Sequence, residues 1–429
     1  MKKQALSILM WLVISAAFVG PGTVTTAASA GAGYRYQLLW ALLFSTLACI
    51  LLQEGAARAS IAGKKSLGGL IAAKYPGKTG QRLAWLMVGT VVFGCIAYEA
   101  GNILGAVAGI SIAISIDSRL ITAIIGVIAG LLLYLGNTKT VTNILGAIVA
   151  TMGVGFLIMA IKVTKNTSEV FTGLISPALP EGSALLALGL VGTTIVPYNL
   201  FLGSGISEGQ AIRSMRWGVI VAVIIGGIIS MSIVLAAVPI QGEFSFEAMA
   251  QTMQSNLGVF GRNLFVFGLF AAGFTSAVTA PLASAISVES LQKDTGYVRT
   301  NWFKTTWFMV LVIGLLFGIF QVKPVPAIIL AQALNGLLLP FLAIALWLIL
   351  NDDELMGKSH LNGIGLNAAY FGVVVITCLL GLLNIAKAIG RALGTSINTA
   401  EVLPAFGALG FIIALLISFR IKALTKLKR

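Results

Sequence analysis

Hydrophobic stretches long enough to cross a bilayer follow one another along almost the whole chain. They predict twelve spans, at about residues 6–32, 36–58, 83–110, 119–136, 140–162, 184–209, 214–239, 258–288, 303–321, 326–351, 364–386 and 401–420. Each stretch can cross a hydrocarbon core of about 30 Å as a helix. The pattern therefore predicts an all-α polytopic membrane protein with a single transmembrane domain, residues 1–429.

Two of these spans contain residues that interrupt a helix. The first carries Gly20-Pro21-Gly22-Thr23 near its middle, and the sixth carries Gly192 to Asn199, with Pro197 inside it. Proline removes a backbone donor and clashes with the preceding turn, and glycine lowers helix stability. In lipid, such a break survives only where protein covers it or where it lines a cavity. Interrupted spans in matching positions of two halves are the best sequence indication of a transporter's binding site.

The two breaks also divide the chain into repeats. Residues 1–162 and 184–351 each hold five spans and each begin with a broken span, which predicts two inverted repeats followed by two extra helices at 364–420. Each break exposes carbonyl groups, which favour a cation, and the N-terminus of a half-helix, which favours an anion.

Composition agrees with a membrane protein, since 58% of the residues are hydrophobic, 10% are charged and the mean hydropathy is +0.99. The three cysteines lie far apart in apolar runs, and the single histidine lies in a charged loop. The sequence has no HExxH, Walker A or GxSxG motif, so we expect neither an enzyme nor a resident metal or cofactor.

The distribution of charge predicts the orientation. Twelve spans place 20 of the 28 lysines and arginines on the side of the termini and 8 on the other side. The positive-inside rule then places both termini in the cytoplasm, which suggests a bacterial plasma membrane. The net charge of +14 is spread over many loops, so it does not indicate nucleic-acid binding.

The N-terminus has an alternative interpretation. Met1-Lys2-Lys3, an apolar run and then Ala28-Ser29-Ala30 resemble a secretory signal with its cleavage site. We prefer a broken span, because residues 24–33 do not have the character of a mature domain.

The third span carries the acidic residue that lies deepest in the predicted membrane, Glu99. An ionisable group inside a bilayer is costly and usually functional, and Asn102 lies on the same helical face. We expect these residues to couple transport to a proton or another cation; the alternative is a structural hydrogen bond. Gln332 and Asn335 are related in the same way in the tenth span, as polar lining or as a link between helices.

The side chains at the breaks are neutral hydroxyls and amides. They are Thr23, Thr25, Thr26, Thr193, Thr194, Tyr198 and Asn199. Threonines in membrane helices often bond only to their own backbone, which is the alternative to a binding role. Gly101, Gly105 and Gly109 share one face of the third span and predict close contact with other helices.

Several short stretches between about Gly20 and Gly357 form a recognisable set. They are Pro21-Gly22, Ala30-Gly31, Tyr36-Gln37-Leu38-Leu39-Trp40, Ile61-Ala62 with Lys65 and Leu67, Pro197 with Asn199 and Leu202, Ser276-Ala277-Val278-Thr279, Gln332, Leu339-Pro340-Phe341 and Asp353-Glu354-Leu355-Met356-Gly357. With these stretches the chain resembles the Nramp family of divalent-metal transporters. The resemblance implies a leucine-transporter-type fold with 5+5 inverted repeats, alternating access and, usually, proton-linked uptake of manganese or iron.

The departures from the family pattern fall at its metal site. The family's first break has the sequence Asp-Pro-Gly-Asn, and Gly20 and Thr23 stand at its Asp and Asn positions. The second break usually ends in Ala-x-x-Met-Pro-His, and here Val196 and Tyr198 replace the Met and the His. Manganese and iron sites use carboxylate, amide and soft ligands, so this pattern argues against a transition metal.

Other family positions are kept or exchanged. Glu99 aligns with a family Asp, Asn102 stands where a Glu is usual, and Gln332 keeps a position linked to the site. Without the Asp, the half-helix N-terminus near Thr23 can receive a carboxylate. Because divergent Nramp-like proteins are sometimes associated with 5-oxoproline-utilising enzymes, the resemblance makes a small cyclic acid one candidate substrate.

We therefore expect a secondary transporter in the lipid bilayer that moves a small organic acid with a coupling proton or cation. The expected substrate-binding residues are Gly20, Pro21, Gly22, Thr23, Thr193, Thr194, Val196, Tyr198, Asn199 and Gln332, and the expected coupling residues are Glu99 and Asn102. One alternative is a divalent-metal importer that uses backbone carbonyls, Gln332 and water, with hydrated Mg²⁺ less demanding than Mn²⁺. Another is a channel or a non-transporting sensor on the same fold. The sequence leaves the oligomeric state open.

Overall fold

A computed structural model describes residues 19–75, 77–136, 139–207, 209–296, 301–393, 395 and 397–427. Within these residues the regular structure is helical. The α-helices are α1 (Pro21–Tyr34), α2 (Leu39–Gly63), α3 (Leu67–Lys74), α4 (Lys78–Ala113), α5 (Ser118–Leu135), α6 (Lys139–Val163), α7 (Thr167–Ile175), α8 (Ala184–Thr194), α9 (Pro197–Ile206), α10 (Ile212–Ala237), α11 (Phe246–Thr295), α12 (Trp302–Ile319), α13 (Pro324–Ile349), α14 (Asp353–Met356), α15 (Ile364–Ala392) and α16 (Thr399–Leu427), with one 3₁₀ turn at Lys358–His360.

Eleven segments of the described chain are long and apolar enough to cross a membrane, and they correspond to the second to twelfth predicted spans. The second half of the first predicted span forms α1, and residues 6–18 lie outside the described residues. The all-α polytopic prediction is therefore confirmed.

The eighth span differs most from its predicted bounds. Helix α11 begins at Phe246 and continues to Thr295, with a kink at Gly258, where φ is 70° and ψ is −167°. The residues from Phe246 to the kink therefore form a helical segment ahead of the predicted span, and the predicted start at residue 258 coincides with the kink. Ser245 caps this segment by accepting a hydrogen bond from the backbone of Ala248, so its start is defined locally.

The first predicted break directly precedes a helix, and the second lies between two half-helices. Helix α1 starts at Pro21 after the extended residue Gly20. Helix α8 ends at Thr194, the chain is extended at Val196, and α9 starts at Pro197. Proline suits the first position of a helix because its fixed φ is helical and the N–H it lacks would have had no partner. Proline is therefore the first residue of both helices.

The glycine face of α4 brings three other helices close. Gly101 lies against Ile328 of α13, Gly105 against Pro21 of α1, and Gly109 against the backbone of Phe270 in α11. A side chain at any of these glycines would meet its neighbour within van der Waals distance or closer. The predicted close contacts are confirmed. Through Gly105, helix α4 packs directly against the start of α1 at the first break.

Candidate functional site

The two breaks meet in the interior of the bundle. The Oγ1 atoms of Thr23, at the start of α1, and Thr193, near the end of α8, lie 2.9 Å apart in a hydrogen bond. Both side chains are 3% exposed. Residues 170 positions apart are thus joined at the place where both spans lose helical structure.

The N-termini of α1 and α9 lie at these breaks without the usual side-chain caps. Their N-cap residues are Gly20 and Val196, neither of which makes a side-chain capping hydrogen bond. The backbone N–H groups at a helix N-terminus and the helix dipole favour a negative charge. In α9 the Nδ2 of Asn199 is buried and has no hydrogen-bond partner among the described residues. Each break therefore presents a buried helix N-terminus without a side-chain cap, and the one at α9 also has an unpartnered amide donor.

The side chain of Gln332 in α13 packs against the first break at Gly22. A β-carbon on Gly22 would overlap Gln332 Nε2 and lie 2.6 Å from Cδ, so the amide rests directly on the Gly22 backbone. Gln332 is 1% exposed, and its Oε1 has no hydrogen-bond partner in the part of the chain that is described. This carbonyl oxygen is an acceptor for a ligand's N–H or for a cation.

Two residues that sequence reasoning did not single out hold the end of α8. The Tyr98 hydroxyl donates to the carbonyl oxygen of Gly192, and the Cys49 thiol lies 3.4 Å from the carbonyl oxygen of Thr194. The ring of Tyr98 also packs edge to face on that of Tyr198, with centroids 5.8 Å apart. The carbonyls freed by the break are thus partly occupied by protein donors, which leaves fewer of them for a cation. The only sequence signal for Tyr98 was its position next to Glu99.

Glu99 and Asn102 lie together but not between the breaks. Asn102 Nδ2 is 3.4 Å from Glu99 Oε2, and Glu99 is fully buried against Gly314 of α12. The other carboxyl oxygen has no hydrogen-bond partner among the described residues. Tyr98, the residue before Glu99, packs its ring on that of Tyr198 at the start of α9. The pair therefore lies beside the second break, next to the contact between the two tyrosines.

The other polar residues that the sequence singled out differ in their hydrogen bonding. Thr194 donates to the carbonyl oxygen of Leu190 in its own helix, as the alternative interpretation expected. Thr25 and Thr26 are buried with no hydroxyl partner in the described chain. Asn335 bonds to its own helix and to the carbonyl oxygen of Gly94, so it links α13 to α4.

The donor set at the breaks is neutral. Within the described residues, no group of three or more His, Cys, Asp or Glu side chains could hold a metal ion. The polar atoms at the breaks are hydroxyl, amide and backbone groups. Such a site can bind an anion at the helix ends, whereas a bare dication would lack an anionic ligand in a low-dielectric interior.

Comparison with known proteins gives a consistent result. The family model described as natural resistance-associated macrophage protein-like (Nramp) matches residues 11–420. A relative from Acidiphilium cryptum, named divalent metal cation transporter MntH, is 27% identical over 387 residues, which are 85% of this chain and 87% of that protein.

Solved structures share the fold at lower identity. A manganese transporter from Eremococcus coleocola, in complex with an aromatic bis-isothiourea substituted compound, superposes with a TM-score of 0.72 at 20% identity, covering 99% of this chain and 94% of that one. Mhp1, a nucleobase-cation-symport-1 family transporter with bromovinylhydantoin bound, superposes with a TM-score of 0.63 at 16% identity, covering 97% and 91%. The leucine-transporter-type fold that the resemblance implied is therefore confirmed.

Proposed function

The chain belongs to the Nramp family and is a multi-pass transporter of the Nramp type, and on this premise we propose that its substrate is a small organic anion rather than a transition metal. The anion's carboxylate would bind at the N-termini of α1 and α9, beside the Thr23 and Thr193 hydroxyls. Alternating access of the two broken spans would then carry it across the bilayer.

The observation that carries this proposal is the pair of buried helix N-termini without side-chain caps. An anion at either N-terminus accepts hydrogen bonds from backbone N–H groups and gains from the dipole of that helix. The unpartnered Asn199 Nδ2 adds a donor, and the unpartnered Gln332 Oε1 adds an acceptor. A small acid with both a carboxylate and an N–H, such as 5-oxoproline, matches that combination.

Glu99 and Asn102 support proton coupling in this proposal. A protonated Glu99 is neutral, so a monovalent anion that moves with one proton crosses without net charge. The carboxyl contacts Asn102, and the neighbouring Tyr98 packs on Tyr198 at the start of α9, so this part of α4 lies against the second break. We propose that Glu99 carries the coupling proton and that Asn102 orients its carboxyl.

A second candidate is a divalent metal ion. It is favoured by two of the proteins that resemble this chain, a divalent metal cation transporter and a manganese transporter. The oxygens available to it would be those of Thr23, Thr193 and Gln332, with water completing the shell. Mg²⁺ keeps several waters and tolerates such a site better than Mn²⁺, although it usually takes a carboxylate.

The proposed placement in the cell follows the charge distribution. We propose that both termini face the cytoplasm of a bacterial cell, and that residues 1–162 and 184–351 form the two inverted repeats. In this orientation the ends of α2 at Gly63 and of α11 at Thr295 are cytoplasmic.

Thermal unfolding in detergent tests the proposed substrate class. The purified protein is heated with Mn²⁺, with Mg²⁺ and with a panel of small amino and carboxylic acids that includes 5-oxoproline. A ligand that binds only the folded state raises its stability by about 2.7 kcal/mol at a hundredfold excess over the dissociation constant. We expect an acid to raise the midpoint; stabilisation by a metal alone would contradict the proposal.

The hydroxyl pair gives a quantitative prediction. Thr23→Val and Thr193→Val each remove one hydroxyl at nearly constant volume, and each should weaken binding of the stabilising acid by roughly tenfold, the value of one hydrogen bond. The effects of the two changes should not add, because the hydroxyls bond to each other. Thr377→Val is the control, since Thr377 is equally buried and bonds to its own helix in α15. Strictly additive effects would contradict a shared site.

Substitutions at two glycines of α1 test the position of Gln332. Gly22→Ala pushes the Gln332 amide off the first break and should lower ligand affinity by roughly tenfold while costing little stability, because the end of a flexible side chain can move. Gly33→Ala, in the same helix with no atom within 4 Å of the new methyl group, should leave affinity unchanged. Titration of the thermal shift against ligand concentration measures both. Equal affinities in the two variants would exclude Gln332 from the site.

A further inference from the structure

A groove of 660 Å³ opens between α2, α10 and α15, away from the breaks. Its walls are almost entirely apolar, with Phe44, Leu51 and Val373 among the lining side chains. The polar side chains in its lining are Glu54 and Arg216. The proposed transport path uses none of these residues.

The length of the groove matches one leaflet of a bilayer. On α2 its lining runs from Glu54 to Phe44, and on α15 from Leu366 to Ile376. Ten helical residues span about 15 Å. That is half of a hydrocarbon core of about 30 Å. The groove therefore has the length of an acyl region that starts at one membrane surface.

The polar end of the groove lies where α2 meets the start of α15. Arg58, one turn beyond Glu54, donates to the Oδ1 of Asn362 at 2.6 Å, and Asn362 lies just before α15. Trp217, beside Arg216, is 52% exposed. Exposed tryptophans mark the headgroup level of a membrane, so this end lies at the surface.

Basic side chains outnumber acidic ones around Glu54 at this end of the groove. The Glu54 carboxylate accepts from Arg58 Nε at 3.0 Å and from Arg216 Nε at 2.7 Å, so one negative charge serves two guanidinium groups. Arg58 is buried, but the Arg216 side chain is 47% exposed. Arg213, one turn earlier on α10, is also exposed. The surface end of the groove thus carries net positive charge.

We propose that this groove binds an anionic phospholipid. Its phosphate pairs with Arg216, and one acyl chain lies along α2, α10 and α15. Two features of the groove support this occupant. Its walls are apolar for the length of one leaflet, which suits an acyl chain. Its surface end is positive, and anionic headgroups attract basic residues there. A neutral phospholipid fills the apolar part equally well but gains less at Arg216.

Native mass spectrometry of the full-length protein in detergent tests the headgroup. Phosphatidylglycerol and phosphatidylcholine with identical acyl chains are titrated separately. We expect phosphatidylglycerol to bind roughly fivefold more tightly, the selectivity that one basic residue provides at a membrane surface. Arg216→Gln should remove this preference, whereas Arg82→Gln, at the start of α4 and away from the groove, should keep it.

A second variant tests the acyl chain without touching a charge. No atom lies within 4 Å of a β-carbon at Gly372, which lines the groove, so the side chain of Gly372→Leu starts in open space and occupies part of the groove. This variant should lose binding of both lipids at the site, and Gly146→Leu, equally unobstructed on α6, should not. Equal affinity for the two lipids, or a preference that survives Arg216→Gln, would overturn the proposal. So would inorganic phosphate that stabilises the protein as well as phosphatidylglycerol does.

Discussion

Glu99→Gln is expected to abolish accumulation of substrate driven by a pH gradient, while exchange of substrate between the two sides continues. Glutamine keeps the shape of the protonated carboxyl and can still bond to Asn102, but it cannot release a proton. In reconstituted vesicles, uptake driven by a pH gradient should fall by at least about tenfold, the scale of loss expected when a functional group inside the bilayer cannot ionise.

Two controls make the Glu99 experiment specific. Glu243→Gln removes a carboxyl from an exposed loop residue and should leave gradient-driven uptake unchanged. Exchange of labelled against unlabelled substrate, at equal pH on both sides, shows whether the Glu99 variant still binds and translocates. Gradient-driven accumulation at the wild-type rate in Glu99→Gln would rule out this carboxyl as the proton carrier.

Gly192→Ala is expected to destabilise the protein by about 3 kcal/mol, at the upper end of the range for overpacking a closely packed interior. The new methyl group would overlap the carbonyl oxygen of Gln332 and lie 2.7 Å from the backbone nitrogen of Gly336. Both atoms belong to the backbone of α13, which cannot rotate away as a side chain can. Helix α8 would have to shift, and the bond between Thr23 and Thr193 would then be lost.

The measurement for Gly192→Ala is the unfolding midpoint in detergent, followed by ligand titration of whatever protein is folded. Gly205→Ala makes the same change in α9, where no atom lies within 4 Å of the new methyl group. Alanine favours a helix over glycine by about 1 kcal/mol, so the control should be as stable as the wild type or more stable. A wild-type midpoint for Gly192→Ala would mean that α8 and α13 do not pack backbone to backbone.

The membrane spans and the breaks could be predicted because they depend on local chemistry. Hydrophobic length defines a span, and a proline inside one defines a break, so Pro21 and Pro197 mark the starts of α1 and α9. The spacing of Glu99 and Asn102 likewise placed them on one helical face, where their side chains contact each other. None of this required knowledge of which helices are neighbours.

The contacts that complete the site depend on packing and could not be predicted in this way. Tyr98 reaches the carbonyl oxygen of Gly192 because α4 passes the end of α8, and nothing in the sequence near residue 98 indicates that approach. The position of Gln332 over Gly22 depends on α13 lying against the first break. The helical segment from Phe246 to the kink at Gly258 lies outside the predicted span because the span was defined by hydrophobic length alone.

The fold does not decide which class of substrate the protein carries. Structures with this fold include a manganese transporter and a transporter with bromovinylhydantoin bound. What distinguishes this chain is the chemistry at its breaks, where Gly20, Val196 and Tyr198 stand at positions that hold ligands in the family pattern. Neutral hydroxyls beside two helix N-termini favour an anion over a dication.

Uptake by the reconstituted wild-type protein tests this claim most directly. Vesicles with an inward proton gradient are supplied with labelled 5-oxoproline and related small acids in one set, and with Mn²⁺ or Mg²⁺ and a fluorescent indicator inside in another. We predict saturable uptake of at least one acid, driven by the gradient and weakened in Thr23→Val, with no uptake of Mn²⁺ above that of empty vesicles. Saturable Mn²⁺ uptake without uptake of any acid would contradict the account.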